Sequence, residues 1–287
     1  MQIKALACEL PHQQGLPLSR FSGQDLVREA ARRGLVASVS GRTIWRWLDE
    51  DAIRPWQHRS WIFPRDPDFQ IKAERVLDLY QGSWKDQALG AEDYVVSADE
   101  KTSIQARLRL HPTLPPRPRQ AMRVEFEYER GGALAYLAAW DVRRAKVFGR
   151  CEATTGIEPF GRLVQQVMEQ EPYRHAQRVF WIVDNGSSHR GAAAAQRLQG
   201  AYSNLILVHL PVHASWLNQV EIYFSVVQRK VLTPNDFSSL SEVADRLLAF
   251  HRLYEQIAKP FEWKFTRADL QELMSKLAGQ TSTALAA

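Results

Sequence analysis

Cysteine is nearly missing from this chain, with 2 in 287 residues. Cys8 and Cys151 stand far apart without a C-x-x-C pair or a Cys/His cluster, which excludes a disulfide framework and a cysteine zinc site and fits a reducing compartment. No apolar run approaches the roughly 20 residues of a membrane span. Met1 to Leu18 carries Lys4, Glu9 and His12 where a signal peptide would carry an apolar core, so the expectation is a cytoplasmic protein with no membrane partner. An acidic excess is also lacking. Lys plus Arg number 37 against 32 Asp plus Glu, giving a net charge of +5 and a pI near 9.3, a mild pointer to polyanions. The excess is local: in residues 101–150 bases outnumber acids eleven to four, in residues 1–69 only ten to eight. What remains, 45% hydrophobic and 24% charged, is an ordinary globular composition with room for one large core and a smaller module.

The most informative stretch runs from Arg178 to Lys230. Val179 to Val183 is a continuous run of β-branched and aromatic residues, as in a strand buried on both faces, and it ends at Asp184. Asn185, Gly186, Ser187 and Ser188 are turn and cap chemistry, His189 to Leu198 is strongly helix-forming, and Gly200 is a suitable stop. A second apolar run, Leu205 to Leu210, halts at Pro211, so the unit reads as a right-handed strand–helix–strand crossover. Asp184 then lies at a strand's carboxyl end, where open α/β sheets place their sites. Ser215 can cap a helix from Trp216 to about Val231 whose buried stripe is Leu217, Val220, Phe224, Val227 and Val231. Glu221 falls on the shoulder of that stripe. Its bland alternative is a surface glutamate paired with Arg229 or Arg190.

Two such carboxylates can converge on divalent cations, and a third is needed. Asp99 follows the apolar run Tyr94 to Ala98. Asp141 follows Leu134 to Trp140 in the same manner, and periodicity does not choose between them.

The segments SADEKTSIQA (Ser97 to Ala106), VDNGSSHRG (Val183 to Gly191) and LPVHASWLNQVEIYFSVVQRK (Leu210 to Lys230) together resemble the DDE transposases of bacterial insertion sequences, in the insertion-sequence six-thirty and mariner superfamily. The resemblance spans about Leu18 to Phe265. It implies an RNase H-like fold, catalytic and metal-binding roles for Asp99, Asp184 and Glu221, and hence Asp99 over Asp141. It also implies Mg²⁺, with Mn²⁺ as a substitute. The reaction it implies is strand cleavage at element ends followed by transfer of the 3′-hydroxyl to target DNA, typically at TA. Double-stranded DNA, as terminal inverted repeats and target, would be the partner, with a homodimer assembled on it and the protein nucleoid-associated when bound. Asn185 and His189 would lie in the outer shell of the site. Two other readings stand beside an active transposase: a truncated or adapted DNA-binding relic, and an RNase H-like nuclease that does not transpose.

Upstream, Ser22 and Asp25 resemble a capping box before a helix that Gly34 ends, and Ser40 can cap a second helix. There Ile44, Trp47 and Leu48 face inward while Arg42, Thr43 and Arg46 project outward. That is the pattern of a helix-turn-helix reading the major groove, although any αα-hairpin with a solvated arginine face looks alike. Arg54, Trp56, Arg59 and Trp61 read as a linker whose tryptophans pack on the catalytic domain, with indole and guanidinium groups laid along a phosphate backbone as the other reading. Between Arg107 and Arg123, Arg117 and Arg119 alternate with prolines in an extended segment that suits DNA, a solvated loop or a protomer contact. Val124 to Tyr128, Leu134 to Trp140 and Lys146 to Cys151 read as antiparallel strands. The expected architecture is α/β, an RNase H-like mixed sheet flanked by helices and preceded by a small all-α helix-turn-helix module. Its divisions are a DNA-binding region and linker over 1–69, a catalytic domain over 70–275 and a frayed tail over 276–287. Because related proteins carry two helix-turn-helix units, the DNA-binding region is expected to be incomplete.

Overall fold

In the computed structural model, which describes residues 1–58, 64–186, 188–189 and 191–284, the chain divides into two units, Met1–Phe63 and Pro64–Ala287. Arg59, Trp61, Ser187 and Arg190, singled out in the sequence, lie outside the described residues.

Among its described residues the first unit has three α-helices, α1 (Gln2–Ala7), α2 (Gly23–Arg32) and α3 (Gly41–Asp49). Ser22 and Asp25 form a reciprocal capping box at α2, and the Ser40 hydroxyl accepts from the Thr43 amide at α3. Leu26, Ala30, Ile44 and Leu48 close a core to which the unanticipated α1 adds Ile3 and Leu6, while Trp56 packs at its margin. Glu29 is buried but bracketed by Arg32 and Arg33, and the hydrogen bond from Arg32 leads in holding its carboxyl down at about 2. Arg42 and Arg46 are exposed on α3. Thr43 is not free to project outward: it is half-buried and its hydroxyl is 2.9 Å from that of Ser40, because the cap claims it.

The second unit opens with α4 (Phe69–Gln81), stopped by Gly82 in a left-handed conformation at φ 85°. A short hairpin, β1 (Ser83–Trp84) and β2 (Gln87–Ala88), leads into β3 (Asp93–Leu108), β4 (Glu129–Asp141) and β5 (Val147–Glu152). Helix α5 (Ile157–Met168) crosses to β6 (Arg178–Val183), and α6 (Gly191–Ala201) crosses to β7 (Leu205–His209). Then come α7 (Val220–Lys230), α8 (Leu240–Glu255) and α9 (Arg267–Ala284). The sheet order is β5-β4-β3-β6-β7, antiparallel on the β5 side and parallel from β3 to β7. Each face carries a core. On one, α4, α7 and α8 pack with Leu270 of α9; on the other, Phe160, Leu163 and Val167 of α5 pack with Leu198 of α6. This is the RNase H-like sheet flanked by helices.

Several boundaries differ from the sequence reading. Asp99 does not end a strand: β3 continues nine residues beyond it to Leu108, because β4 pairs with it along that whole length. Val124 to Tyr128 is not a strand; Glu125 instead binds the amides of Leu110 and His111, folding the segment back on the proline-rich loop. Within that loop Arg117 and Gln120 bond each other's backbone, with Arg119 at φ 62°, so a tight turn interrupts the extended run. Helix α6 passes through Gly200 to Ala201, and the segment read as a frayed tail is helical as far as Ala284. Ser215 starts a short 3₁₀ turn, Ser215–Leu217, and α7 begins only at Val220.

Candidate active site

Strand register brings the first two acids level. Ser97 of β3 pairs with Ile182 of the parallel β6, and each acid lies two residues further on, so Asp99 and Asp184 emerge side by side. Glu221 sits in the first turn of α7, where it is half-buried and, among the described residues, makes no ion pair; Lys101 supplies the opposing charge that reaches it. Asp99 is 7% exposed. Burial pushes its carboxyl up to about 7, with repulsion from Asp184 next and smaller repulsions from Glu100 and Glu221. Burial likewise raises Glu221, and Asp184 adds to it. The three side chains therefore share one electrostatic neighbourhood.

Asp141 lies elsewhere. Antiparallel pairing sets it opposite Val96, three residues short of the level of Asp99 and two strands away from Asp184, where it is fully buried. It accepts from the Tyr173 hydroxyl at 2.7 Å and from the Arg143 and Arg144 amides at 3.0 and 2.9 Å. It is a turn-forming acid.

The surroundings of the trio are built from long-range contacts. Asn218, buried just ahead of α7, donates through Nδ2 to Ala98 O at 3.0 Å and to Asp99 Oδ2 at 3.3 Å, and its Oδ1 accepts from the Ser97 hydroxyl. That same Ser97 oxygen accepts from the Val220 amide at 2.9 Å, so one serine and one asparagine tie the strand of Asp99 to the helix of Glu221. The Tyr80 hydroxyl of α4 donates to Leu217 O at 2.7 Å, fixing the same junction from outside. Around Asp184, the Gly186 amide donates to Oδ1 at 2.6 Å and His189 Nε2 lies 2.5 Å from the same oxygen. Burial drives His189 down to about 4, so it is a neutral ring that donates there. Ser188 Oγ bridges His189 Nδ1 and Glu100 Oε1, at 3.1 and 2.9 Å. Asn185 turns away and donates to Leu210 O at 2.8 Å, clamping the end of β6 to the end of β7. Of these, Ser97, Glu100, Ser188 and Asn218 belong to the segments singled out in the sequence, but no spacing there marked them; Tyr80 had no signal beyond helical periodicity.

The donor set suits a hard divalent cation: three carboxylates, with Asp99 raised first by burial and then by repulsion from Asp184, a repulsion that a cation would relieve. As the side chains stand, no group of three His, Cys, Asp or Glu among the described residues is arranged to hold an ion, and Asp184 Oδ1 is already taken by Gly186 and His189. The fit lies in the chemistry of the donors. The DNA candidates lie outside this cluster. Arg117 and Arg119 are exposed on the turn of the proline-rich loop, and Arg42 and Arg46 belong to the first unit.

Carboxylates level with each other on two adjacent central strands of such a sheet, Asp99 within β3 and Asp184 just past the end of β6, with a third on a following helix, are the arrangement of RNase H-like nucleases. Residues 94–244, just over half of the chain, match the family described as DDE superfamily endonuclease, and the chain belongs to that family. Its fold resembles that of solved Mos1 transposase structures. The mariner Mos1 paired end complex with Mg has a TM-score of 0.53 and 13% identity, covering 98% of this chain and 77% of that chain. The pre-cleavage Mos1 transpososome gives 0.52 and 13%, covering 97% and 77%. The Mos1 paired-end complex with left transposon end gives 0.51 and 11%, covering 96% and 76%. At such identities the likeness is one of fold. No curated protein matches the chain. Among the described residues no helix is long and apolar enough to cross a membrane.

Proposed function

We propose that the chain is a transposase of the bacterial insertion-sequence six-thirty and mariner superfamily, which cuts DNA strands at element ends and joins the freed 3′-hydroxyl to target DNA at TA. The observation that carries this reading is the convergence of Asp99, Asp184 and Glu221 beside the carboxyl end of β6, inside the segment that matches the endonuclease family. The likeness of fold to Mos1 complexes holding transposon ends supports the choice of substrate. Asp99, Asp184 and Glu221 would hold Mg²⁺ or Mn²⁺, which when bound supply Lewis-acid activation of the attacking oxygen and stabilisation of the leaving one. The protein's own contribution is placement. Asn218 orients the buried Asp99, and His189 and the Gly186 amide orient Asp184. Arg42 and Arg46 on α3 read the ends, the loop of Arg117 and Arg119 holds phosphates, and two protomers act together on the DNA. Residues 1–69 form the reading region and linker, and 70–275 the catalytic domain.

The test is nicking of end-bearing plasmid with Mg²⁺. Asp184→Asn keeps the side chain's shape and loses the anionic ligand, so cleavage falls to background while folding and DNA binding persist. Asp141→Asn instead replaces an acceptor of three hydrogen bonds with an amide; it lowers stability by about 1–3 kcal/mol and leaves nicking intact. Undiminished cleavage by Asp184→Asn would sink the site.

A further inference from the structure

We propose that a groove along the part of β3 beyond the acids binds an unpaired DNA strand, with Phe126 as the platform on which one base stacks. This rests on the reading of the chain as a DNA-cutting enzyme and adds a subsite to it. The groove has a volume of about 980 Å³ and starts at Lys101, two residues past Asp99. It exists because the two central strands are unequal. The β3–β6 ladder stops at Ser97 and Ile182, so the rest of β3 has a strand partner only on the β4 side. A bulge between Lys101 and Ile104, with Ser103 at φ 57°, twists that free edge. Asn235 covers only a short part of it, donating to Gln105 O at 2.6 Å and accepting from the Arg107 amide at 3.1 Å.

Charge selects the occupant. Lys101, Arg107 and Arg109 line the groove with one carboxylate, Glu125, whose oxygens are taken by His111 and by the amides of Leu110 and His111. The two arginines have different duties. Arg109 is a bracket: it donates to Glu125 O at 2.7 Å and to Asn235 O, holding the two walls together. Arg107 lies over the Tyr128 ring, 4.7 Å from its centroid, and its Nε is buried without a hydrogen-bond partner. A phosphate oxygen would satisfy that donor. Lys101 is within electrostatic reach of Glu221, so a strand held by Arg107 runs on to the acids.

The ring of Phe126 is 94% exposed in the wall of this cationic groove. It contributes nothing to the core there. Inside a duplex both faces of each base are covered by neighbours, so away from a helix end an exposed ring can stack only on a base that has left the stack. A phosphate ligand, a stacking surface and continuity with the acids together describe a single strand leaving the cutting site.

The test is fluorescence anisotropy in EDTA with the full chain and two probes, a blunt duplex and the same duplex with a single-stranded tail of about five nucleotides. The tail is expected to tighten binding about tenfold, the worth of one stacked base. Phe126→Ala and Arg107→Gln should each remove that gain and leave blunt binding unchanged. Phe126 is exposed, so its loss does not threaten the fold. Equal affinity for both probes, or equal weakening on both in Phe126→Ala, overturns the groove. So does a tail gain that survives Phe126→Ala while light scattering shows self-association lost, which would assign the ring to a second copy of the chain. The two proposals fail separately. A chain that nicks plasmid but gains nothing from the tail keeps its enzyme reading without the groove; one that gains from the tail but never nicks keeps the groove and loses the enzyme.

Discussion

Asn218 sets the spacing between the first and last acids with a single carboxamide. Replacing it with alanine removes the donor to Ala98 O and Asp99, and the acceptor for Ser97, and so releases the start of α7. Loss of such an outer partner typically costs about 10–100-fold in metal affinity. Asn218→Ala should therefore raise half-saturating Mn²⁺ by that range, both in nicking and in calorimetric titration without DNA. A lower Tm with an unchanged titration would make Asn218 a folding residue only. The contrast with the acids explains what a sequence can disclose. Asp99 and Asp184 each follow an apolar run and Glu221 lies on the shoulder of a buried stripe, so each leaves a local mark. Asn218 leaves none, since its partners lie 119 to 121 residues away. The link from Ser188 to Glu100, 88 residues apart, is hidden for the same reason.

Caps and stops explain which elements could be read in advance. Ser22 and Ser40 announce α2 and α3 because their partners lie three residues ahead. Ser215 offers the same signal, but the chain after it bends through Asn218, whose side chain is spent on β3, and the helix waits until Val220. The length of β3 is set by pairing with β4, which residues 93–108 do not reveal by themselves. Gly279 and a polar composition disguise α9, and α1 is too short to show a period. A functional division between elements is open to test. Replacing Arg42 and Arg46 on α3 by alanine should remove discrimination between cognate and scrambled duplexes, at about 1–3 kcal/mol per lost bidentate contact. Replacing Arg117 and Arg119 should weaken both duplexes alike and flatten the salt dependence. Equal losses on both duplexes for the α3 variant would refute its reading role.

At the scale of the whole molecule, the ends of the second unit hold each other. Arg267, at the start of α9, bridges Glu74 at 2.7 Å and Asp78 at 3.2 Å on α4, and Leu270 is buried in the core beneath. A chain ending at Thr266 should keep its sheet by circular dichroism, yet expose this apolar seat, with a lowered Tm and binding of a hydrophobic dye. A truncated chain with unchanged melting would show α9 to be an ornament. The parallel part of the sheet was foreseeable from the crossover runs Val179 to Val183 and Leu205 to Leu210, because buried parallel strands have no polar face to confuse the pattern.

The order of the acids along the chain also governs when the cutting site can exist. A ribosome reaches Asp99 early, Asp184 much later, and the Asn218–Val220 junction later still, with α9 following near the end. Until α7 has docked, Asp99 lacks the donor that orients it and Glu221 has no place beside it. A nascent or prematurely ended chain would thus carry the helices proposed to read DNA without the means to cut it, and could only occupy element ends against its finished siblings.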